Sequence, residues 1–228
     1  MNKLTKKLIT ITALVLIGTV MAHADSFENL SVMHVKDNDM ITIRYDRNIT
    51  EIINKPIEGE AEINILVTRL VKNSPARYLI VFDPGPSADP QFIIYQVAGD
   101  TNKKIISIPG EELIIPGNGV IYSSGFIDMM FNTRRKFQFN DGLVEEVKQP
   151  YYYVGLTTKV KRAVTLHDDL TYKRPVAQLP EGAKVEVLIS KGNDYLLKTP
   201  FGLVGWFKIN YGEQCGSEAI EGICFHGD

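Results

Sequence analysis

Apolar and polar residues alternate along much of this chain with a period of two. Ile41, Ile43 and Tyr45 interleave with Thr42, Arg44 and Asp46, and Ile63, Ile65 and Val67 with Asn64 and Thr68 around Leu66, the pattern of strands that bury one face. Tyr78 to Phe82 and Phe92 to Val97 are short apolar runs, the second interrupted only by Gln96, rich in β-branched and aromatic residues, which predicts strands covered on both faces. Between them, Asp83-Pro84-Gly85-Pro86-Ser87-Ala88-Asp89-Pro90 cannot continue a hydrogen-bonded ladder and is a surface loop. Ser31 to Val35 opens the sheet. Lys104 to Ile108, Leu113 to Ile115 and Val120 to Tyr122 follow, punctuated by Pro109-Gly110 and Pro116-Gly117-Asn118-Gly119. Phe137 and Phe139 lead through Asn140-Asp141-Gly142 into Leu143 to Val147; an Asp-Gly pair between apolar runs is the strongest hairpin signal in the chain. Ile49 to Glu60 is polar and reads as a long loop or a turn of helix, and Tyr151 to Val154 as the last strand of this region. Turn signals recur about every ten residues and no helical period is evident, which favours a β-sandwich or an open barrel over parallel α/β units.

The last third repeats the strand pattern on a smaller scale. Val185, Val187 and Ile189 alternate with Lys184, Glu186 and Leu188, Gly192-Asn193 supplies a turn, and Tyr195 to Thr199 returns as the second strand of a hairpin. Pro200 to Gly202 ends it. Gly205 permits a close backbone approach, and Trp206 is the only tryptophan in the chain, so its burial would anchor the small barrel.

With Val164 to His167 upstream as its first strand, the segment resembles the bacterial SH3-like domain. The Gly205-Trp206 pair stands where that family carries one, although Phe207 replaces its usual Val or Ile, and Tyr195 stands where a second tryptophan is often found. The resemblance implies a small barrel that binds cell-wall peptide stems or protein segments in a groove lined by Tyr172, Tyr195, Phe201 and Trp206. The residues themselves leave a second reading open, in which Trp206 and Tyr195 are core and the domain is a docking spacer. The expected fold class is therefore all-β: an N-terminal β-sandwich or open barrel followed by a small SH3-like barrel.

The first residues change the picture of where the protein acts. Lys3, Lys6 and Lys7 precede the uncharged apolar run Leu8 to Met21, and Ala22-His23-Ala24 places small residues where a signal peptidase reads. The run is shorter than the roughly 20 residues of a spanning helix. This predicts cleavage after Ala24, export to the periplasm or beyond, and no membrane insertion afterwards. Cleavage would leave Asp25, not a cysteine, as the new terminus, so a lipid anchor is not indicated. The expected organisation is a signal peptide at 1–24, a β-rich domain at 25–155, the SH3-like domain at 156–210 and a tail at 211–228. A chain that is 44% hydrophobic and 23% charged can bury a core. Its formal net charge of −2 includes the lysines of the signal, and no clustered positive face points to nucleic acid.

Candidate chemistry is sparse. Cys215 and Cys224, the only cysteines, read in an exported chain as a disulfide closing a small tail loop. A metal site adding His226 fits no usual zinc spacing, and no metal or cofactor is expected. His34 and His167 read as structural. Ser123-Ser124-Gly125 lacks a nucleophile-elbow frame. The pairs Glu111-Glu112, Glu145-Glu146 and Asp168-Asp169 put neighbours on opposite faces of a strand and make poor acid/base couples. Asp128 is a marginal candidate, and Arg134-Arg135-Lys136 reads as the solvent side of a strand edge. The expectation is a non-catalytic envelope protein that binds peptidoglycan or an envelope protein. The alternatives are an inhibitor or immunity-type protein acting on a cell-wall hydrolase and, third, a hydrolase.

Overall fold

The computed structural model describes residues 27–86, 89–99, 101–127, 129–209 and 219–223. The expected signal peptide, Asp128, Cys215, Cys224 and His226 lie outside the described residues. What is described is all-β, as the alternation predicts, with seventeen strands in three sheets.

The chain opens with a hairpin of β1 (Ser31–Val35) and β2 (Asn38–Tyr45). After a single 3-10 turn at Arg47–Ile49 it leaves that sheet and builds an antiparallel meander of β3 (Glu51–Pro56), β4 (Ile63–Thr68), β5 (Tyr78–Asp83), β6 (Gln91–Ala98) and β7 (Thr101–Pro109). It then returns with β8 (Glu112–Ile115), β9 (Val120–Gly125), β10 (Thr133–Asn140) and β11 (Leu143–Glu146). On return β8 lies parallel to β2, so the first sheet runs β1-β2-β8-β9-β10-β11. The Ile49 to Glu60 segment thus takes up the end of the 3-10 turn, forms the edge strand β3, whose Ile52 and Ile53 face solvent, and turns back over Ile57 to Glu60. That exposure hides the strand from a burial pattern.

The first two sheets share one core. Ile43, Leu113, Ile115, Ile121 and Phe137 of the first meet Ile65, Ile80, Phe82, Phe92, Ile94 and Ile108 of the second, all buried. Each contributes about 1.5–3 kcal/mol relative to an exposed side chain. Val81 and Ile93 pair across β5 and β6 and are also buried, which explains why these two strands read as apolar runs. The predicted Asp-Gly hairpin forms: Asn140 pairs with Leu143, and Asp141 and Gly142 have φ of 49° and 85°, the left-handed pair that a type I′ turn requires.

The third sheet comprises β12 (Tyr152–Lys159), β13 (Val164–His167), β14 (Pro175–Leu179), β15 (Lys184–Lys191), β16 (Asp194–Lys198) and β17 (Val204–Lys208), in the order β12-β15-β16-β17-β13-β14. Tyr151 to Val154 does not close the N-terminal sheet as expected. It begins β12, which pairs with β15 and buries Val154 in the C-terminal core with Val164, Leu166, Val185, Val187 and Leu197. Gly205 is required by space: a Cβ there would stand 2.8 Å from the Cβ of Leu166 on β13.

Two pieces from outside these strands complete this second core. Phe131, in the loop between β9 and β10, inserts into it with Met129 packed alongside, and Ala219, Ile220 and Ile223 cover it from the tail. The tail is held by backbone bonds from Lys161 N–H to Ala219 O (2.8 Å) and from Glu221 N–H to Lys159 O (3.0 Å). The two halves therefore pack directly on each other.

Candidate functional site

Opposed residues of an antiparallel pair project to the same side of the sheet. One such row crosses five strands of the C-terminal sheet: Tyr153 pairs with Ile189, Ile189 with Leu196, Leu196 with Trp206, and Trp206 with His167. The opposite face is core, because Tyr195, Val187 and Leu197 point there. The row is left half-buried or exposed, and other aromatic residues gather around it. Tyr151 packs on Trp206 with ring centroids 6.1 Å apart, and the Lys191 ammonium lies 5.8 Å from the Tyr151 ring. The edge of Tyr172 meets His167 at 5.4 Å. At the other end, Tyr153 lies over Gly155 on the β12 bulge, where a Cβ would collide with its ring, and the Arg134 guanidinium stands 5.2 Å from that ring.

Polar contacts fix the Tyr172 end. The Tyr172 hydroxyl donates to Asp194 Oδ1 at 2.6 Å, and burial, followed by the hydrogen bond and charge of Asp194, raises the phenol pKa far above its ordinary value. The turn carrying it places Tyr172 at φ 57° and is braced by Asp169, which accepts from the Thr171 N–H and hydroxyl, and by the Asp168–Arg174 ion pair. His167 Nδ1 is buried without a hydrogen-bond partner.

The four aromatic residues expected to line a groove separate. Trp206 and Tyr172 flank His167 on the outer face. Tyr195 is a core residue at 1% exposure, paired with Phe207 on β17, and lies on the opposite side of the sheet from this row; it borders a cavity of about 310 Å³ between the halves. Phe201 is 88% exposed at the tip of the β16–β17 turn, beyond Val204 and away from the row. Trp206, expected to anchor the barrel by its own burial, is half-buried on the outer face, and the buried aromatic is Tyr195. Sequence reading missed Tyr151, Tyr153 and His167. The Tyr-Tyr-Tyr run was visible, but its partner sheet was not.

A second concave surface lies on the outer face of the first sheet, with a volume of about 540 Å³. Arg44, Ile114, Tyr122 and Lys136 form one row across β2, β8, β9 and β10, and Thr42, Glu112, Ser124 and Arg134 form the next. Glu112 accepts from Arg44 Nε at 2.7 Å and from the Ser124 hydroxyl at 2.9 Å. Lys136 stands over Tyr122, its ammonium 5.6 Å from the ring, and Phe27 meets that ring edge-on at 5.1 Å. In the Arg134-Arg135-Lys136 run, β11 pairs with β10 only from Phe137 onward, with one further bond from Val147 N–H to Lys136 O, so Arg134 and Arg135 lie on an edge stretch of β10; the alternation of the strand puts Arg134 and Lys136 on the side of this groove.

The other candidates carry structural roles. His34 Nδ1 lies 2.8 Å from the Asp39 carbonyl oxygen, to which it donates. Ser123 is buried beneath the first sheet. Glu146 accepts from Lys148 at 2.7 Å and from the Tyr152 hydroxyl at 3.3 Å. Among the described residues no group of three or more His, Cys, Asp or Glu side chains could hold a metal ion, and no helix is long and apolar enough to cross a membrane. Comparison with known proteins finds no matching family model, no matching curated protein and no matching solved structure.

Proposed function

We propose that this is an exported, non-catalytic binding protein of the cell envelope, and that it takes a peptidoglycan stem peptide on the outer face of its C-terminal sheet. The observation that carries the reading is the half-buried to exposed row from Tyr153 through Ile189, Leu196 and Trp206 to His167, bordered by Tyr151 and Tyr172. Aromatic rings set side by side on a rigid sheet offer large contact area at small entropic cost, and tyrosine hydroxyls supply polar contacts for an extended peptide. The resemblance of Val164 to Ile209 to the SH3-like domain supports the same choice, and the basic, apolar and small-residue order of Met1 to Ala24 supports export. Cys215 and Cys224 would then close a loop around the packed 219–223 segment, contributing about 2–3 kcal/mol in the chain-entropy model.

The test is incubation of the mature protein with purified sacculi and, in parallel, with envelope extract. Retention on sacculi that is lost in Trp206→Ala and Tyr151→Ala, with both variants still folded by circular dichroism, is the expected result. Capture of a hydrolase from the extract without retention on sacculi would replace this reading with the inhibitor, and release of soluble fragments over time with the enzyme. Mass analysis with and without reductant checks the disulfide.

A further inference from the structure

The groove on the first sheet belongs to the other half of the molecule and has a different chemistry. Its central row has a cation at each end, Arg44 on β2 and Lys136 on β10, with Ile114 and Tyr122 between them. Three inter-strand steps separate the backbones of the two ends, about 14 Å at the usual strand spacing, and Lys136 leans in over Tyr122 while Arg44 leans toward Glu112. Arg134 adds a third cation two residues from Lys136 on the same face, about 7 Å along the strand, its guanidinium shared with the Tyr153 ring 5.2 Å away. Among the described residues lining the groove Glu112 is the one carboxylate, and it is already engaged by Arg44 and Ser124. The surface is therefore net positive around an apolar floor.

A compact anion held at one end of this surface leaves the Ile114 and Tyr122 strip and the opposite cation unmet. An extended peptide meets all three: it advances about 3.3 Å per residue and turns alternate side chains to one side, so residues one, three and five span about 13 Å on a single face. We infer that this groove is a binding site for an extended acidic peptide segment, lying across the strands, with acidic residues four positions apart over Arg44 and Lys136 and an apolar residue midway over Ile114 and Tyr122. The Arg134 and Lys136 end carries the greater excess of positive charge and holds the more acidic end of the ligand. Electrostatic complementarity of this kind makes the interaction salt-sensitive and sets its register.

The test uses the full mature chain and a capped, fluorescein-labelled pentapeptide, Asp-Ala-Leu-Ala-Asp, in anisotropy titrations. The Asn-Ala-Leu-Ala-Asn amide analogue and Asp-Ala-Asp-Ala-Leu, which halves the separation of the carboxylates, serve as controls. Both controls should bind about tenfold more weakly or worse, and raising salt from about 0.05 to about 0.3 M should weaken the parent peptide by a similar factor. Lys136→Gln and Arg44→Gln, both changes at a solvated surface, should each reproduce the loss, whereas Glu112→Gln should tighten binding severalfold by removing the competing carboxylate. Trp206→Ala should leave the affinity unchanged, which separates this site from the aromatic face whether or not that face binds stem peptide. Equal binding of the acid and amide peptides, or indifference to carboxylate spacing, would overturn the assignment. So would tight, Lys136-dependent binding of inorganic polyphosphate or of phosphatidylglycerol vesicles by a protein that ignores the acidic peptide.

Discussion

The core of the sandwich is built within its own sequence range, from Met33 to Val144, whereas the core of the C-terminal sheet is closed by Phe131 from the other half and by three residues of the tail. The contrast follows from architecture. Two stacked sheets cover each other's apolar faces, but a single sheet of six short strands must find cover elsewhere for the part of its inner face that curling leaves open. A boundary drawn at 155 and 156 by sequence pattern would sever both that cover and the first half of β12.

The sharpest way to break this comparison is to cut the chain. Residues 27–147 alone should give a cooperative thermal transition, while 156–209 alone should show none by circular dichroism. A folded 156–209 fragment would show that the borrowed residues are dispensable. Within the intact chain, Phe131→Ala should lower stability to denaturant by about 3–5 kcal/mol, the cost of emptying an aromatic site in a core. Amide exchange should locate the loss chiefly in β13 to β17.

Two glycines sharpen the comparison at a smaller scale, because they are required for different reasons. Gly205→Ala drives a Cβ into Leu166 and the His167 carbonyl oxygen, and such overpacking should cost about 1–3 kcal/mol. Gly142 has open space around it but a φ of 85°, so Gly142→Ala should cost only about 1 kcal/mol of backbone strain. Urea titrations would order the two.

These glycines also mark how much was legible. Asp141-Gly142, Gly192-Asn193 and Gly205 announced their turns and close approach because local chemistry dictates them. The parallel docking of β8 on β2, the transfer of Tyr152–Lys159 to the C-terminal sheet and the insertion of Phe131 were not legible, since each is a choice of partner between distant strands with similar patterns. The binding surfaces suffered in the same way. Trp206 and Tyr172 could be named, but Tyr195 and Trp206 are assigned to opposite faces by register, which one residue reverses. The groove row from Arg44 to Lys136 exists only because four strands align.

The smallest expected effect is one of pH. Burial acts to raise the Asp46 pKa, but the Asn48 N–H and the Lys72 ammonium 3.2 Å away outweigh it and hold the carboxyl below its ordinary range. A depressed folded pKa gives stability that is present above the ordinary value and is lost as pH falls through the folded one. The sandwich should therefore melt slightly lower as pH drops below ~4, and Lys72→Met should flatten that part of the profile.

Trp206 provides the most direct test of the proposed function. It is the only tryptophan in the chain and sits in the middle of the aromatic face, so its emission reports on that face alone. Titration with soluble stem-peptide fragments should shift its fluorescence saturably, with the response lost in Tyr151→Ser. Unchanged emission while the same fragments bind the protein would place the ligand elsewhere and contradict the account.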